Sequence, residues 1–184
     1  MTEISLNVLD VAENSTRAGA KLVTITVNAD AAADRLTIII QDDGCGMTEE
    51  QVSHVTDPFF TTRTTRKVGL GVPFFKYAAE STGGSFSIES QVGAGTTVTA
   101  VFGLSHIDRM PLGDISSTIH TLIVYHPETD FLYTYQYNDK SFTLDTRQFR
   151  EILGDVPFDT PDVSSYIMEY LTDNKSETDG GAVL

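Results

Sequence analysis

Hydrophobic periodicity changes between helical and strand-like spacing within the first hundred residues, and this alternation constrains the fold most. Residues 4–20 place their apolar side chains on one helical face. Alternation over residues 23–27 then predicts a half-buried strand, and the apolar run from Leu36 to Ile40 predicts a second, central strand. Because helical and strand segments follow one another in this way, we expect an α+β fold.

The remainder of the first hundred residues continues the same alternation. Thr48 followed by acidic residues is typical of a helix N-terminus, and a further helix is predicted over about 72–81. Short alternating runs around residues 86–88 and 98–102 predict two more strands. Residues 57–70 show no clean period and are expected to form a loop.

The chain changes character after residue 103. Glycine and proline punctuate residues 103–118, which we interpret as a connector. Beyond it, 119–125 and 131–137 are predicted as strands joined by a turn, followed by short helices over 145–153 and 161–171. We therefore expect three parts: residues 1–104, a small α+β unit over 105–172, and a polar, flexible tail over 173–184.

Composition excludes several classes of function. The chain of 184 residues carries 26 acidic and 12 basic side chains, a net charge of −14, so a nucleic-acid-binding surface is not expected. Cys45 is the single cysteine, which rules out an intrachain disulfide, and we expect it to be a buried, inert thiol. The N-terminus does not resemble a signal peptide, and no apolar run approaches 18 residues, so we expect a cytoplasmic protein without a membrane span.

Two polar residues of the first predicted helix form a candidate site. Asp10 and Asn14 are four residues apart, so their side chains share a face at the edge of the apolar stripe. A carboxamide oxygen can ligate a hard cation such as Mg²⁺, and a neighbouring carboxylate can orient or deprotonate a water or hydroxyl. The alternative interpretation is a solvated helix edge.

A second candidate follows the second strand, in the segment Asp42-Asp-Gly44-Cys-Gly46-Met47. Alternating glycines let the backbone approach a flat ligand closely, and an aspartate at a strand end can accept a hydrogen bond from an exocyclic amine. Met47 can pack on a ring face. A plain strand-to-helix turn is the alternative, because Asp-Gly pairs are turn signals.

A third candidate is Gly69-Leu70-Gly71, which opens a predicted helix. Free backbone N–H groups at a helix N-terminus bind phosphate, and Arg63, Arg66 and Lys67 form an isolated basic cluster just before it. The spacing fits neither a P-loop nor a dinucleotide-binding fingerprint. Alone, it is equally consistent with an ordinary helix start.

The order of these motifs resembles the Bergerat-fold ATPases, or GHKL family, which includes DNA gyrase, heat-shock chaperones, histidine kinases and mismatch-repair ATPases. Five segments within about residues 4–103 resemble its conserved boxes: Asp10–Ala20, Asp42–Met47, Asp57–Arg63, Gly69–Gly71 and Gly93–Thr97. The resemblance implies a two-layer α/β sandwich, with a mixed sheet that has helices on one face.

The resemblance also implies ATP and Mg²⁺ as ligands. Asn14 would ligate Mg²⁺, Asp42 would accept from the adenine amino group, and Thr96 would support adenine. Gly44 and Gly46 would let the backbone approach the purine, with Met47 packing near it. Gly69, Leu70 and Gly71 would wrap the phosphates.

Two positions carry variations on the family pattern. Asp10 occupies the place of the glutamate base of ATP-hydrolysing members and is one methylene shorter, which puts its reach to an attacking water in question. Arg63 occupies the place where some members have a lysine that contacts the γ-phosphate, so the positive charge is kept.

For function, we expect a stand-alone kinase or ATPase module that acts on a separate protein partner, because only nine residues precede Asp10 and leave no room there for a phospho-acceptor helical hairpin. The four histidines are scattered and are expected to be structural or solvated. One alternative is an ATP-driven dimerising clamp, and another is a nucleotide-gated binding module with little turnover. The oligomeric state is left open.

Overall fold

The computed structural model describes residues 2–58 and 70–184. Its strands are β1 (Leu22–Asp30), β2 (Arg35–Asp42), β3 (Ser85–Gln91), β4 (Gly95–Gly103), β5 (Asp130–Tyr137) and β6 (Lys140–Asp145). Its helices are α1 (Ile4–Arg17), α2 (Glu49–Val55), α3 (Gly71–Glu80), α4 (Ile115–Tyr125), α5 (Thr146–Leu153) and α6 (Pro161–Asp179). Among the residues described, no helix is both long and apolar enough to cross a membrane.

The strands form one mixed sheet in the order β3-β4-β2-β1-β5-β6. Neighbours pair antiparallel except for β1 and β5, which are parallel. Burial alternates along the central strands, and in β1 it falls on Val23, Ile25, Val27 and Ala29. One face of the sheet is therefore covered by helices while the other is left half-exposed. This two-layer arrangement confirms the predicted α+β sandwich with a mixed sheet.

The C-terminal half of the chain extends the sheet of the N-terminal half. The start of β5 pairs with the start of β1, with Asp130 opposite Leu22, and β6 continues as the edge strand. Phe131, Tyr133 and Tyr135 of β5 are buried in the same core as the β1 side chains. The division near residue 104 stays a prediction, but the two parts share one sheet and one core.

The prediction of a strand over 119–125 is wrong, because this segment lies in helix α4. Its β-branched residues suggested a strand, yet its buried apolar side chains recur every three or four residues, which is the helical period. Asp114 caps the helix by accepting from the backbone N–H of Ser117 at 2.9 Å. The predicted hairpin is formed instead by β5 and β6, with Asn138 in a left-handed conformation at its turn.

The C-terminal segment also differs from the expected polar tail. Helix α6 continues to Asp179, eight residues beyond the predicted end, and Gly180 terminates it in the left-handed conformation. The carboxylate of Asp179 is fully buried. It accepts hydrogen bonds from the hydroxyl of Tyr135 at 2.8 Å, from Nζ of Lys175 at 2.6 Å and from the backbone N–H of Gly181 at 2.8 Å.

These contacts determine the protonation of Asp179. Burial raises the pKa of its carboxyl group, but the hydrogen bonds from Lys175, Tyr135 and Gly181, together with the Lys175 charge, outweigh burial and hold the pKa below its usual value. The ionised carboxylate therefore anchors the end of α6 to the middle of β5.

We expect Asp179→Asn to lower the free energy of unfolding by about 2 kcal/mol at neutral pH, since it removes a charge that accepts buried hydrogen bonds. A depressed pKa contributes stability above the unfolded-state pKa of about 3.9, and this contribution is lost as pH falls through the folded-state pKa. The difference between wild type and variant in urea denaturation should therefore shrink below about pH 4. Asp173→Asn, the same change at an exposed position of α6, is the control; equal effects of the two variants would contradict the anchoring role.

Candidate nucleotide-binding site

Helix α1 presents two polar side chains at the border of its buried face. That face is formed by residues such as Ile4, Val8 and Val11, and it fixes the rotation of the helix against the sheet. Asp10 and Asn14 lie at its border and are both half-buried. Within the part of the chain that the structure describes, the Asn14 carboxamide makes no hydrogen bond. Its oxygen is therefore available to a ligand.

Asp10 lies against the first residue of α3. A Cβ atom built on Gly71 would be 2.8 Å from Oδ2 of Asp10 and 2.7 Å from its Cβ, so only glycine permits this approach. Burial raises the pKa of Asp10, and the neighbouring charge of Glu13 raises it further, while Arg17 acts in the opposite direction. Glu13 and Arg17 form an exposed salt bridge at 2.8 Å. Asp10 is thus a partly desolvated carboxylate that lies beside the N-terminus of the neighbouring helix α3.

Asp42 ends β2 with its carboxylate held by two donors. Oγ of Ser15 donates to Oδ2 at 2.6 Å, and the backbone N–H of Gly44 donates to Oδ1 at 2.9 Å. Only 8% of Asp42 is exposed. Because each carboxylate oxygen can accept more than one hydrogen bond, both keep capacity for a ligand while their orientation is fixed.

The adjacent aspartate has a different role. Oδ1 of Asp43 accepts from the backbone N–H groups of Lys21 and Leu22, at 2.7 and 3.0 Å, and so closes the turn between α1 and β1. The sequence alone does not separate two consecutive aspartates by function. The structure assigns Asp43 to the turn and leaves Asp42 at the site.

The glycines after Asp42 are required by packing. Gly44 is buried against Ala18, and a Cβ on it would lie 3.0 Å from Ala18 Cβ. Gly46 has a φ of +68°, and a Cβ there would lie 1.9 Å from the carbonyl oxygen of Gln91. The two positions therefore need glycine to hold the loop between α1 and the end of β3. Their predicted approach to a purine stays a prediction.

Strand β4 supplies the opposite side of the site. Thr96 is paired with Asp42 in the β2–β4 register. Its Oγ1 lies 2.8 Å from Oγ of Ser90, which also accepts from the backbone N–H of Met47 at 2.8 Å. Ser90 therefore connects Met47, which is half-buried, to Thr96.

The sequence does not single out Ser15 and Ser90 as site residues. Ser15 falls on the apolar face of the first helix, and Ser90 continues the alternation of Phe86 and Ile88. Each is a polar residue on the more buried side of its element, but the partners that give it a role at the site are distant in sequence.

The remaining predicted residues divide into three groups. Leu70 is exposed and immediately precedes α3, and Gly71 is the first residue of α3. Arg63 and Gly69 lie outside the described residues. Cys45 was expected to be buried, but its side chain is exposed, because its backbone rather than its thiol anchors the loop: its N–H donates to Ala18 O at 3.0 Å.

Around α1, these elements bring together the Asn14 carboxamide, a partly desolvated carboxylate, an oriented carboxylate and the N-terminus of α3. In the described ranges 2–58 and 70–184, no three His, Cys, Asp or Glu side chains are grouped so that they could hold a metal ion by themselves.

Comparison with known proteins supports this interpretation. Residues 1–106 match the family described as "Histidine kinase-, DNA gyrase B-, and HSP90-like ATPase". The chain is 32% identical over 98 residues to sporulation kinase D of Bacillus subtilis, which covers 53% of this chain and 19% of that protein. It is also 32% identical over 102 residues to the sensor protein SrrB of Staphylococcus aureus, covering 53% of this chain and 17% of that protein.

A solved structure extends the likeness in fold. The crystal structure of the N-terminal domain of a DNA repair protein superposes with a TM-score of 0.56 at 13% identity, covering 79% of this chain and 53% of that one. The chain matches less than a quarter of the length of either of these two relatives. Through residues 1–106, the chain belongs to the family of histidine kinase-, DNA gyrase B- and HSP90-like ATPases, and this part is an ATP-binding, kinase-like ATPase module.

Proposed function

We propose that the protein binds Mg-ATP and transfers the γ-phosphoryl group to a separate protein partner. The observation that carries the proposal is the arrangement on α1. Ser15 of this helix orients Asp42, and Asn14 immediately precedes Ser15. Asp10 lies about one helical turn before Asn14, beside Gly71. Helix α1 thus carries the proposed metal ligand, Asn14, and the proposed base, Asp10. Through Ser15 it also orients Asp42 on β2, the proposed adenine-binding carboxylate.

Adenine recognition falls to Asp42. Its Oδ oxygens, oriented by Ser15 and the Gly44 N–H, accept from the exocyclic amine. Ser90 links Met47 to Thr96, which pairs with Asp42 in the sheet. A buried acceptor of fixed orientation favours a base that carries an amine over one that carries a carbonyl at that position, since a carbonyl would offer the carboxylate a second acceptor and no donor. This supports adenine over guanine nucleotides.

The residues present fit a metal-bound triphosphate. Mg²⁺ is commonly held by one or two protein oxygens together with substrate phosphates, and the Asn14 carboxamide supplies one such oxygen. When bound, the ion neutralises charge on the β- and γ-phosphates. The N-terminus of α3, with Leu70 and Gly71, faces the phosphates with its positive dipole end. Phosphate contacts by Gly69 and Arg63, which lie outside the described residues, stay a prediction.

Asp10 serves as the base. The attacking group of the partner passes its proton to the Asp10 carboxylate as it bonds to the γ-phosphorus, while the bond from phosphorus to the bridging oxygen breaks and ADP leaves. A raised pKa strengthens Asp10 as a proton acceptor, which supports this role. The kinase names of the matched relatives favour transfer to a protein over release of free phosphate.

The test of the proposal follows the fate of γ-labelled ATP, incubated with Mg²⁺ and pure protein and then with cytosol of the source organism. We expect label on a second protein. Release of free phosphate together with dimerisation on a non-hydrolysable analogue would indicate a clamp instead. Binding without transfer or release would indicate a nucleotide-gated module.

Asp10→Asn tests the base directly. We expect phosphoryl transfer to fall at least about 100-fold, because a carboxamide cannot accept the proton, while the Kd for nucleotide stays within about threefold. Transfer is measured by the label on the partner and binding by calorimetry. Glu13→Gln, which removes a neighbouring carboxyl on the same helix, is the control, and both variants are compared at neutral pH, above the acidic limb of the profile. Parallel loss of binding and transfer in Asp10→Asn would mean that Asp10 serves binding or structure.

The charges around Asp10 predict two opposite shifts in the pH profile of transfer. The rate should rise with pH through the pKa of Asp10, because the base acts when ionised. Glu13→Gln removes a charge that raises this pKa, so the acidic limb should move to lower pH. Arg17→Gln removes a charge that lowers it, so the limb should move to higher pH. Profiles that shift together, or not at all, would exclude Asp10 as the titrating group.

Ser15→Ala tests the orientation of Asp42. Loss of the 2.6 Å hydrogen bond should weaken binding of a non-hydrolysable ATP analogue by about 1 kcal/mol, or roughly fivefold in Kd. Ser5→Ala is the matched control, since Ser5 is also buried on α1 but its hydroxyl donates to Glu3. An unchanged Kd for Ser15→Ala would show that Asp42 needs no support from the helix.

A further inference from the structure

Three large apolar side chains near the C-terminal helices are exposed to solvent. They are Ile152 on α5, Val156 just after it and Tyr166 on α6, with exposed fractions of 82%, 44% and 56%. Single exposed apolar residues are ordinary, but a group of them together with aromatic rings marks an interaction surface. We use the name α5–α6 surface for these residues together with Phe149 and Tyr170; on α5, Ile152 lies one helical turn from Phe149.

Aromatic packing holds this surface in shape. The rings of Phe149 and Tyr166 have centroids 6.1 Å apart, those of Phe149 and Tyr170 are 5.8 Å apart, and both pairs meet edge to face. The Tyr170 hydroxyl donates to the carbonyl of Thr143 on β6 at 3.2 Å. A preformed apolar surface loses little conformational entropy when a partner binds.

The charged side chains around the surface are mostly acidic. Residues 151–174 contain six acidic side chains and no basic one: Glu151, Asp155, Asp159, Asp162, Glu169 and Asp173. The nearest basic residues on either side are engaged. Arg147 and Arg150 pair with Asp145 at 2.8 Å and Asp130 at 2.7 Å, and Lys175 pairs with Asp179 at 2.6 Å.

An apolar centre with an acidic rim favours some binding partners over others. A second copy of the chain, with net charge −14, would bring like charges together around the apolar centre, and nucleic acid and anionic lipid would be repelled in the same way. A helix with an apolar face bordered by Lys and Arg would match both the centre and the rim. Such a helix in a surface groove is a common mode of peptide recognition.

We propose that the α5–α6 surface docks a basic amphipathic helix of the protein partner. The inference deepens the proposed function and rests on it, since the docked helix belongs to the protein on which the module acts. β6 lies three strand spacings from β2, or roughly 14 Å, so a helix bound beside β6 leaves the nucleotide site open. Docking and phosphoryl transfer thus use different parts of the same sheet.

The probe is an 18-residue amphipathic helical peptide of leucine and lysine with a fluorescent label, and the readout is its anisotropy with the full chain. We expect Ile152→Glu and Tyr166→Glu each to weaken binding at least tenfold. The matched control is Tyr125→Glu, which adds the same charge at an apolar residue of α4 that is 75% exposed. It should change binding less than twofold.

The added glutamates separate docking from general attraction to an acidic protein. If net charge alone held the peptide, all three variants would bind it equally or more tightly, and this result would overturn the proposal. Equal binding of a leucine and glutamate peptide would also overturn it, because the acidic rim would then play no part.

Binding of a non-hydrolysable ATP analogue by each variant verifies that the fold is intact and separates the two proposals. Loss of peptide binding with unchanged analogue binding supports docking at this surface. If the wild-type chain fails to bind the peptide yet labels a partner from ATP, docking here is wrong while the proposed function stands.

Discussion

The hydrogen bond between Ser15 and Asp42 joins the helical layer to the sheet at the point where the candidate site is built. At 2.6 Å between a hydroxyl and a buried carboxylate it is a charge-assisted bond, and both partners are almost inaccessible to solvent. Its position fixes α1 along its axis relative to β2. Asn14 and Asp10 precede Ser15 on the same rigid helix, so their placement follows from this contact.

The C-terminal half supports the same region from the other side. Thr129 donates to the carbonyl of Ala20 at 3.2 Å, and the N–H of Asp130 donates to Lys21 at 2.8 Å, where β5 begins beside β1. The turn between α1 and β1 is also held by Asp43 and by the N–H of Cys45. The loop after Asp42 therefore packs on a turn that β5 holds in place. This connection explains physically why an added pair of strands can stabilise the nucleotide-binding half.

The family and the two-layer sandwich could be predicted from the sequence alone. Both depend on local spacing: the family on the order of short glycine-containing and acidic segments, and the sandwich on hydrophobic periodicity. The failures of prediction from sequence share a different origin. In α4, β-branched residues favoured a strand until the Asp114 cap and burial on one face were known. The end of α6 is polar by composition, yet Asp179 is buried. Its carboxylate accepts hydrogen bonds from Lys175, one turn earlier on the same helix, and from Tyr135, which is distant in sequence. Ser15 and Ser90 were missed since their partners lie on other elements.

The shortened acid at position 10 and the glycine at position 71 are best understood as a pair. A side chain on Gly71 would overlap Asp10, so the absence of a Cβ lets α3 begin directly against the carboxylate. In the proposed mechanism, this closer approach of the helix would offset the methylene that aspartate lacks relative to the glutamate of the family pattern. Because a helix N-terminus is favourable for phosphate, the proposed distance between base and phosphates would be determined by contact between two packed helices. A longer acid would need α3 to move outward, so the two positions are expected to change together.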